Sequence, residues 1–268
     1  MKTLLTGATG FLGSAVLRQL VEDGQNVRVL ARPNGDRRNI EKVACEVIEG
    51  DLNDIPSLQM AVAGCDALFH VAADYRIWTP NPSELYRTND LGTVELFRAA
   101  AAAGIERMIY TSSVATLGIH SDGTPSNEAT PVSRSDMVGH YKRSKFDAET
   151  SVMSLISKEH LPIVIVNPST PIGPRDVKPT PTGRFIVEAA AGRRRCCSRA
   201  PARCRARCRP RSGAAAPWPA PPAAAGAAPG SIGRAIIGRA ARAPPPSPAR
   251  ARAPHARSSI AGARADDR

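Results

Sequence analysis

From residue 1 to about residue 190, short apolar runs alternate with stretches whose apolar residues recur at helical spacing. Thr3-Leu4-Leu5-Thr6 reads as a strand. Phe11 to Glu22 places Leu12, Val16, Leu17, Leu20 and Val21 on one helical face, with Gly24 as a C-terminal cap. Asn26–Ala31, Cys45–Glu49 and Ala67–Val71 read as the second, third and fourth strands. Between the last two lies a helix with Asp54 as N-cap, Pro56 near its first turn and Gly64 at its close. One long helix is expected from about Pro82 to Ala103, stopped by Gly104. A fifth strand at Ile105–Thr111, a helix from about Val138 to Glu159, a sixth strand at Pro162–Val166 and a final helical stretch, Arg184–Gly192, complete the pattern. Strands alternating with helices at this spacing predict an α/β fold with a doubly wound parallel sheet.

Composition changes abruptly near Gly192. Residues 193–268 contain 17 Arg, no Lys and 2 acidic residues, a net charge of +15 within a chain of net +12. The preceding part is therefore slightly acidic, and the basic character belongs to the C-terminal segment. Ala, Arg, Pro and Gly supply 58 of its 76 residues. Such a segment cannot bury enough apolar surface to offset chain entropy, so it is expected to be disordered. Those four residue types share codons with G or C in the first two positions, so a GC-rich gene read out of frame yields this mixture. A frameshifted product from about Arg193 and a natural arginine-rich arm both fit. Cys196, Cys197, Cys204 and Cys208 follow no zinc-site spacing, and no metal site is expected. Met1–Leu5 runs straight into a glycine loop, and no long apolar run exists. A cytoplasmic protein without a membrane span is the expectation.

Thr6-Gly7-Ala8-Thr9-Gly10-Phe11-Leu12-Gly13 joins the first strand to the first helix. Glycines there permit a tight turn and close backbone approach to a pyrophosphate, and the helix N-terminus faces that anion with free N–H groups. The position of the loop makes Thr6, Gly7, Thr9, Gly10, Phe11, Leu12 and Gly13 candidate dinucleotide-binding residues, and the doubly wound sheet a Rossmann-type one. A carboxylate at the end of the second strand would favour NAD, whereas an arginine accommodates the 2′-phosphate of NADP. This strand ends Leu30-Ala31-Arg32, so Arg32 points to NADP(H) rather than NAD(H); Arg37 and Arg38 follow in what is otherwise a solvated basic loop. Asp51, with Leu52 beside it, is a candidate for the adenine edge, or equally a cap for the turn at Gly50. Ala72 and Ala73 are small enough to admit a ribose, and Pro168 and Ser169 leave the sixth strand where a nicotinamide would lie.

Ser113 ends the fifth strand, and Tyr141 and Lys145 stand one helical turn apart on one face. Free tyrosine titrates near about 10, too high for a proton carrier at neutral pH. A nearby ammonium together with an oxidised nicotinamide would favour the phenolate. Ser113 would hydrogen-bond the substrate oxygen. Asn89 is expected to hold the fourth strand or a water, or to pack as an interior amide. His70 is read as structural, and His120 and His140 as rim groups.

These residues resemble the extended short-chain dehydrogenase/reductases, also called the NAD-dependent epimerase/dehydratase family. Within that group, four segments are similar to the hopanoid-associated sugar epimerases, themselves similar to dihydroflavonol 4-reductases. They are His70–Trp78, Tyr110–Gly118, Gly139–Phe146 and Asn167–Arg184. The resemblance implies a bacterial enzyme of hopanoid lipid biosynthesis that acts at a hydroxyl or ketone carbon of a small-molecule substrate. It puts Ser113, Tyr141 and Lys145 at the catalytic positions. It covers roughly residues 1–192, read as the NAD(P)-binding domain, and the substrate domain of such proteins has no counterpart in residues 193–268. Three readings follow: an NADP(H)-dependent oxidoreductase or epimerase; a dinucleotide-binding protein without turnover; or a binder of nucleic acid through the basic segment, if that segment is natural. Oligomeric state is not legible.

Overall fold

The computed structural model describes residues 1–191. The readings made of residues 192–268, including Cys196, Cys197, Cys204 and Cys208, lie outside the described residues. Six strands, β1 (Lys2–Thr6), β2 (Asn26–Ala31), β3 (Glu46–Glu49), β4 (Ala67–His70), β5 (Arg107–Thr111) and β6 (Ile163–Val166), form one sheet. All neighbours pair in parallel, in the order β3-β2-β1-β4-β5-β6. This is the doubly wound Rossmann arrangement, with the chain reversing direction across the sheet between β1 and β4. In sheets of this order, ligands are generally received in the crevice at the C-terminal ends of those two strands.

The sheet is apolar on both faces, which is why its strands carry consecutive rather than alternating hydrophobic residues. Leu4, Leu68, Met108 and Tyr110 face one way, onto α2 (Ile55–Val62), α4 (Gly92–Ala102) and α5 (His140–Lys158) through Leu58, Phe97, Ala148 and Val152. Leu5, Val27, Val29, Phe69 and Ile109 face the other way, onto Val16, Leu17 and Leu20 of α1 (Phe11–Glu22). Each fully enclosed side chain of this size contributes about 1.5–3 kcal/mol. Arg28, on β2, turns its guanidinium to the end of α2. There its Nη1 donates to the carbonyls of Ala61 (3.0 Å) and Ala63 (2.7 Å), and Nη2 pairs with Glu46 at 3.0 Å.

The long helix expected over Pro82–Ala103 is three pieces: α3 (Pro82–Tyr86), a π-helical turn (Arg87–Leu91) and α4. Two packing demands accompany the break. Asn89 is drawn inward, where its side chain is buried, and a Cβ on Gly92 would stand 2.8 Å from the carbonyl oxygen of Leu52. Helix α5 begins at His140 rather than Val138, because Gly139 has φ +89° and cannot continue a right-handed helix. The last helix, α6 (Pro181–Ala190), starts earlier than expected, at a Thr180 cap whose hydroxyl accepts from the Gly183 amide. Among the described residues β6 is an edge strand, and no helix is long and apolar enough to cross a membrane.

Candidate active site

The glycine loop closes on itself through the Gly10 amide, which donates to the Gly7 carbonyl at 2.9 Å. Gly7 has φ +78°, and a Cβ there would lie 2.6 Å from the Ala72 nitrogen, so the loop and the β4 exit touch backbone to backbone. A Cβ on Gly13 would fall 2.1 Å from the Gly7 carbonyl oxygen. Only glycine permits this approach of α1 to the loop. Gly10, the N-cap of α1, brings no side chain to the first-turn amides of Phe11, Leu12 and Gly13. An uncapped helix start beside an exposed Gly10 is a cradle that fits an anionic pyrophosphate.

Thr6 is only 1% exposed. Its hydroxyl meets His70 Nδ1 at 2.7 Å and lies 3.3 Å from the Ala72 amide that donates to it. It therefore supports the floor of the crevice from below, instead of facing it as Gly10 does. The Asn39 side chain, which the sequence did not single out, donates to the Thr9 carbonyl at 3.1 Å and ties the segment after β2 to the loop. At that segment's start Arg32 is exposed and its side chain makes no ion pair among the described residues. Arg37 is paired with Glu49, and Arg38 with Asp36 at 2.7 Å. Asp51 Oδ1 accepts from the Asn53 amide at 2.8 Å and from its side chain at 2.9 Å. Leu52 is a core residue. Ala72 and Ala73 are half-buried at the β4 exit, Pro168 is half-buried and Ser169 exposed beyond β6. From there the chain passes over α1, bringing Gly173 to the ring of Phe11, and Lys178 reaches Asp36 at 3.6 Å.

Ser113 leaves the end of β5, while Tyr141 and Lys145 come from the first turns of α5. Enclosure of Tyr141 raises its pKa, and the Ser113 hydroxyl beside it acts in the opposite direction. Among the described residues Lys145 makes no hydrogen bond to Tyr141. Lys145 Nζ donates instead to the Tyr110 hydroxyl at 2.8 Å and to the Thr111 carbonyl at 3.1 Å, because β5 runs directly beneath this face of α5. Lys145 is 2% exposed, and burial brings its pKa down to about 7. Tyr110, fully enclosed, is pushed far above the usual phenol range by burial.

Asn89 acts as an interior amide. It accepts from the Asp74 amide at 2.7 Å, and its nitrogen donates to the Asp74 carbonyl at 2.8 Å and to Ser144 Oγ at 3.0 Å. The segment after β4 is thereby fixed to the helix that carries Tyr141. His70 is structural, as expected, and fully buried. His140 is exposed at the rim beside Tyr86, and His120 is half-buried against Thr130. Sequence reasoning missed Tyr110 and Glu149. Tyr110 reads as an ordinary core residue of an apolar strand. Glu149, however, stands four residues after Lys145, and that spacing was available as a signal. No group of metal-ligating side chains is assembled among the described residues.

Comparison with known proteins agrees with this architecture. Residues 3–193 match the family model described as the NAD dependent epimerase/dehydratase family. A putative dihydroflavonol 4-reductase of Synechocystis is 44% identical over 183 residues, 68% of this chain and 53% of that protein. The crystal structure of gox2253 shares 54% identity at a TM-score of 0.69, covering 72% of this chain and 58% of that one. DesIV, a dTDP-glucose 4,6-dehydratase from Streptomyces venezuelae solved with NAD bound, shares 26% identity at a TM-score of 0.63. It is matched over 72% of this chain and 63% of its own. The chain thus spans between about half and two-thirds of the length of these relatives. With the family model matching most of its length and the sheet order in place, this chain belongs to the NAD dependent epimerase/dehydratase family.

Proposed function

We propose that residues 1–192 are a dinucleotide-binding domain for NADP(H) and that the chain is of the oxidoreductase or epimerase type. Its substrate would carry a hydroxyl or ketone carbon, on a sugar-like or hopanoid-pathway molecule. The observation that carries the reading is the Ser113 hydroxyl, at the end of β5, beside Tyr141 of α5, with Lys145 one helical turn further on and an uncapped glycine cradle at the start of α1. The amides of Phe11, Leu12 and Gly13 would hold the pyrophosphate, and Arg32 the 2′-phosphate. Ala72 and Ala73 would lie along the ribose, and Pro168 and Ser169 along the nicotinamide. When bound, the nicotinamide supplies or takes a hydride at the substrate carbon.

The proton follows a separate route through the chain's own residues. Tyr141 gives its phenolic proton to the substrate oxygen in reduction and takes it back in oxidation. Ser113 hydrogen-bonds the same oxygen and fixes its position. Lys145, held by Tyr110 and Thr111, places an ammonium at the base of the site, where it favours negative charge on oxygen. In an epimerase Tyr141 would work in both directions, giving and taking back the same proton.

Consumption of NADPH with phenanthrenequinone as a carbonyl probe tests the reading, in this chain and in Tyr141→Phe. Loss of a positioned proton carrier should cost roughly 10²–10⁴-fold in turnover with little change in NADPH affinity. Near-normal turnover in Tyr141→Phe would overturn the assignment. A second reading is a dinucleotide-binding protein without turnover. NADPH binding with no carbonyl reduced would select it.

A further inference from the structure

Helix α5 presents a third chemistry-bearing residue in line with Tyr141 and Lys145. Glu149 follows Lys145 by four residues, so the three recur at one-turn intervals. Its Oε2 accepts from three groups outside the helix: Ser112 Oγ, Thr116 Oγ1 at 2.8 Å and Asn167 Nδ2 at 2.9 Å. These donors belong to the end of β5, the turn after it and the exit of β6. Two of them also surround the Ser113 carbonyl oxygen. Thr116 Oγ1 lies 2.7 Å from it, sharing one proton between that oxygen and Glu149, and the Asn167 side chain donates to it at 3.1 Å. The Thr116 amide adds a bond at 3.1 Å.

We propose that Glu149 is a positioning residue for the Ser113–Tyr141–Lys145 site: it fastens the Ser113 turn to α5 and sets a negative charge beside the enclosed Lys145 ammonium. The proposal rests on the functional reading above. Lys145 has only neutral direct partners, the Tyr110 hydroxyl and the Thr111 carbonyl, with its Nζ 4.5 Å from the centroid of the Tyr110 ring. Burial opposes its charge, and Glu149 opposes that effect. The other titratable groups packed around this site are His70 on β4, Tyr110 on β5, Asp90 in the π-helical turn and Tyr141 on α5. Burial keeps His70 unprotonated near neutrality and holds the Tyr110 and Tyr141 phenols protonated. Asp90 has its pKa raised by burial, with Asp147 adding to the rise. The Glu149 carboxylate is the anion whose field acts on Lys145.

The test is made on the full chain without added cofactor, using Glu149→Gln and Glu149→Leu. The Lys145 ammonium is titrated by nitrogen NMR, its signal assigned by its loss in Lys145→Met, and amide exchange is followed from Ser112 to Leu117. Glutamine keeps an acceptor of the same reach but no charge. In Glu149→Gln the Lys145 midpoint should fall by about one pH unit while the Thr116 amide stays protected. In Glu149→Leu exchange through the turn should also accelerate, by about tenfold or more. A Lys145 midpoint unmoved in Glu149→Gln overturns the proposal, whatever exchange does in Glu149→Leu. If the leucine variant does not fold, the glutamine variant decides. Titration of NADPH into the same samples examines the reading underneath. Absence of binding in the parent chain would overturn the dinucleotide assignment and leave the Glu149 result standing.

Discussion

Acid should destabilise this domain in part through His70. The side chain is 0% exposed, between Thr6 of β1 and Thr93 of α4. The proton positions follow from donor counting. Thr93 spends its hydroxyl proton on the Asn89 carbonyl, 2.6 Å away, so it accepts from His70 Nε2–H at 2.9 Å. Nδ1 is then the lone-pair nitrogen and accepts from the Thr6 hydroxyl at 2.7 Å. The neutral ring satisfies this chain completely. A second ring proton would oppose the Thr6 hydroxyl in a fully enclosed site. Burial, with the Lys145 charge adding to it, lowers the pKa from 6.5 to about 3. The folded state thus refuses a proton that the unfolded state accepts. Stability from this group is fully present above about pH 6.5 and is lost as pH falls from there toward 3. The slope is about 1.4 kcal/mol per pH unit, so ~3 kcal/mol is lost by about pH 4.5. Urea midpoints of the parent chain and His70→Gln at several pH values check this, because glutamine offers a donor and an acceptor without a titrating proton. Other acid-sensitive groups affect both proteins alike, and the difference in slope isolates His70. Parallel curves for the two proteins would refute the reasoning.

Two further outcomes concern the dinucleotide site. Gly13→Ala drives a Cβ to 2.1 Å from a backbone oxygen of the loop, so it should lower stability by about 1–3 kcal/mol and weaken NADPH binding severely. Gly24→Ala, at φ +73° but with open space around it, should cost about 1–2 kcal/mol and leave NADPH binding intact. Equal NADPH affinities in the two variants would remove the loop from the site. Arg32→Asp should narrow or invert a preference for NADPH over NADH, by about ten- to hundredfold, the range of one charge-assisted contact. Equal affinities of the parent chain for the two nucleotides, measured by fluorescence titration, would show that Arg32 does not read a 2′-phosphate.

Much of this protein is local in origin and so was legible in the sequence. A glycine loop between an apolar strand and an amphipathic helix needs no distant partner to be identified, because only glycines tolerate the approach of Gly13 to Gly7. The i,i+4 spacing of Tyr141 and Lys145 is a property of one helix. The alternation of elements implies a parallel sheet, since parallel neighbours require crossovers. The tertiary structure decided what depends on residues far apart in the chain. It broke the expected helix at Arg87–Leu91 where Asn89 meets Asp74 and Ser144. It turned Lys145 to Tyr110, thirty-five residues earlier, and moved Thr6 from the crevice to a buried partnership with His70 across the sheet. It made Glu149 the meeting point of two strand ends. Periodicity records which face of an element is buried, but a hydrogen bond between polar groups from different elements leaves no period in either. Those pairings exist only once the sheet has brought the elements together.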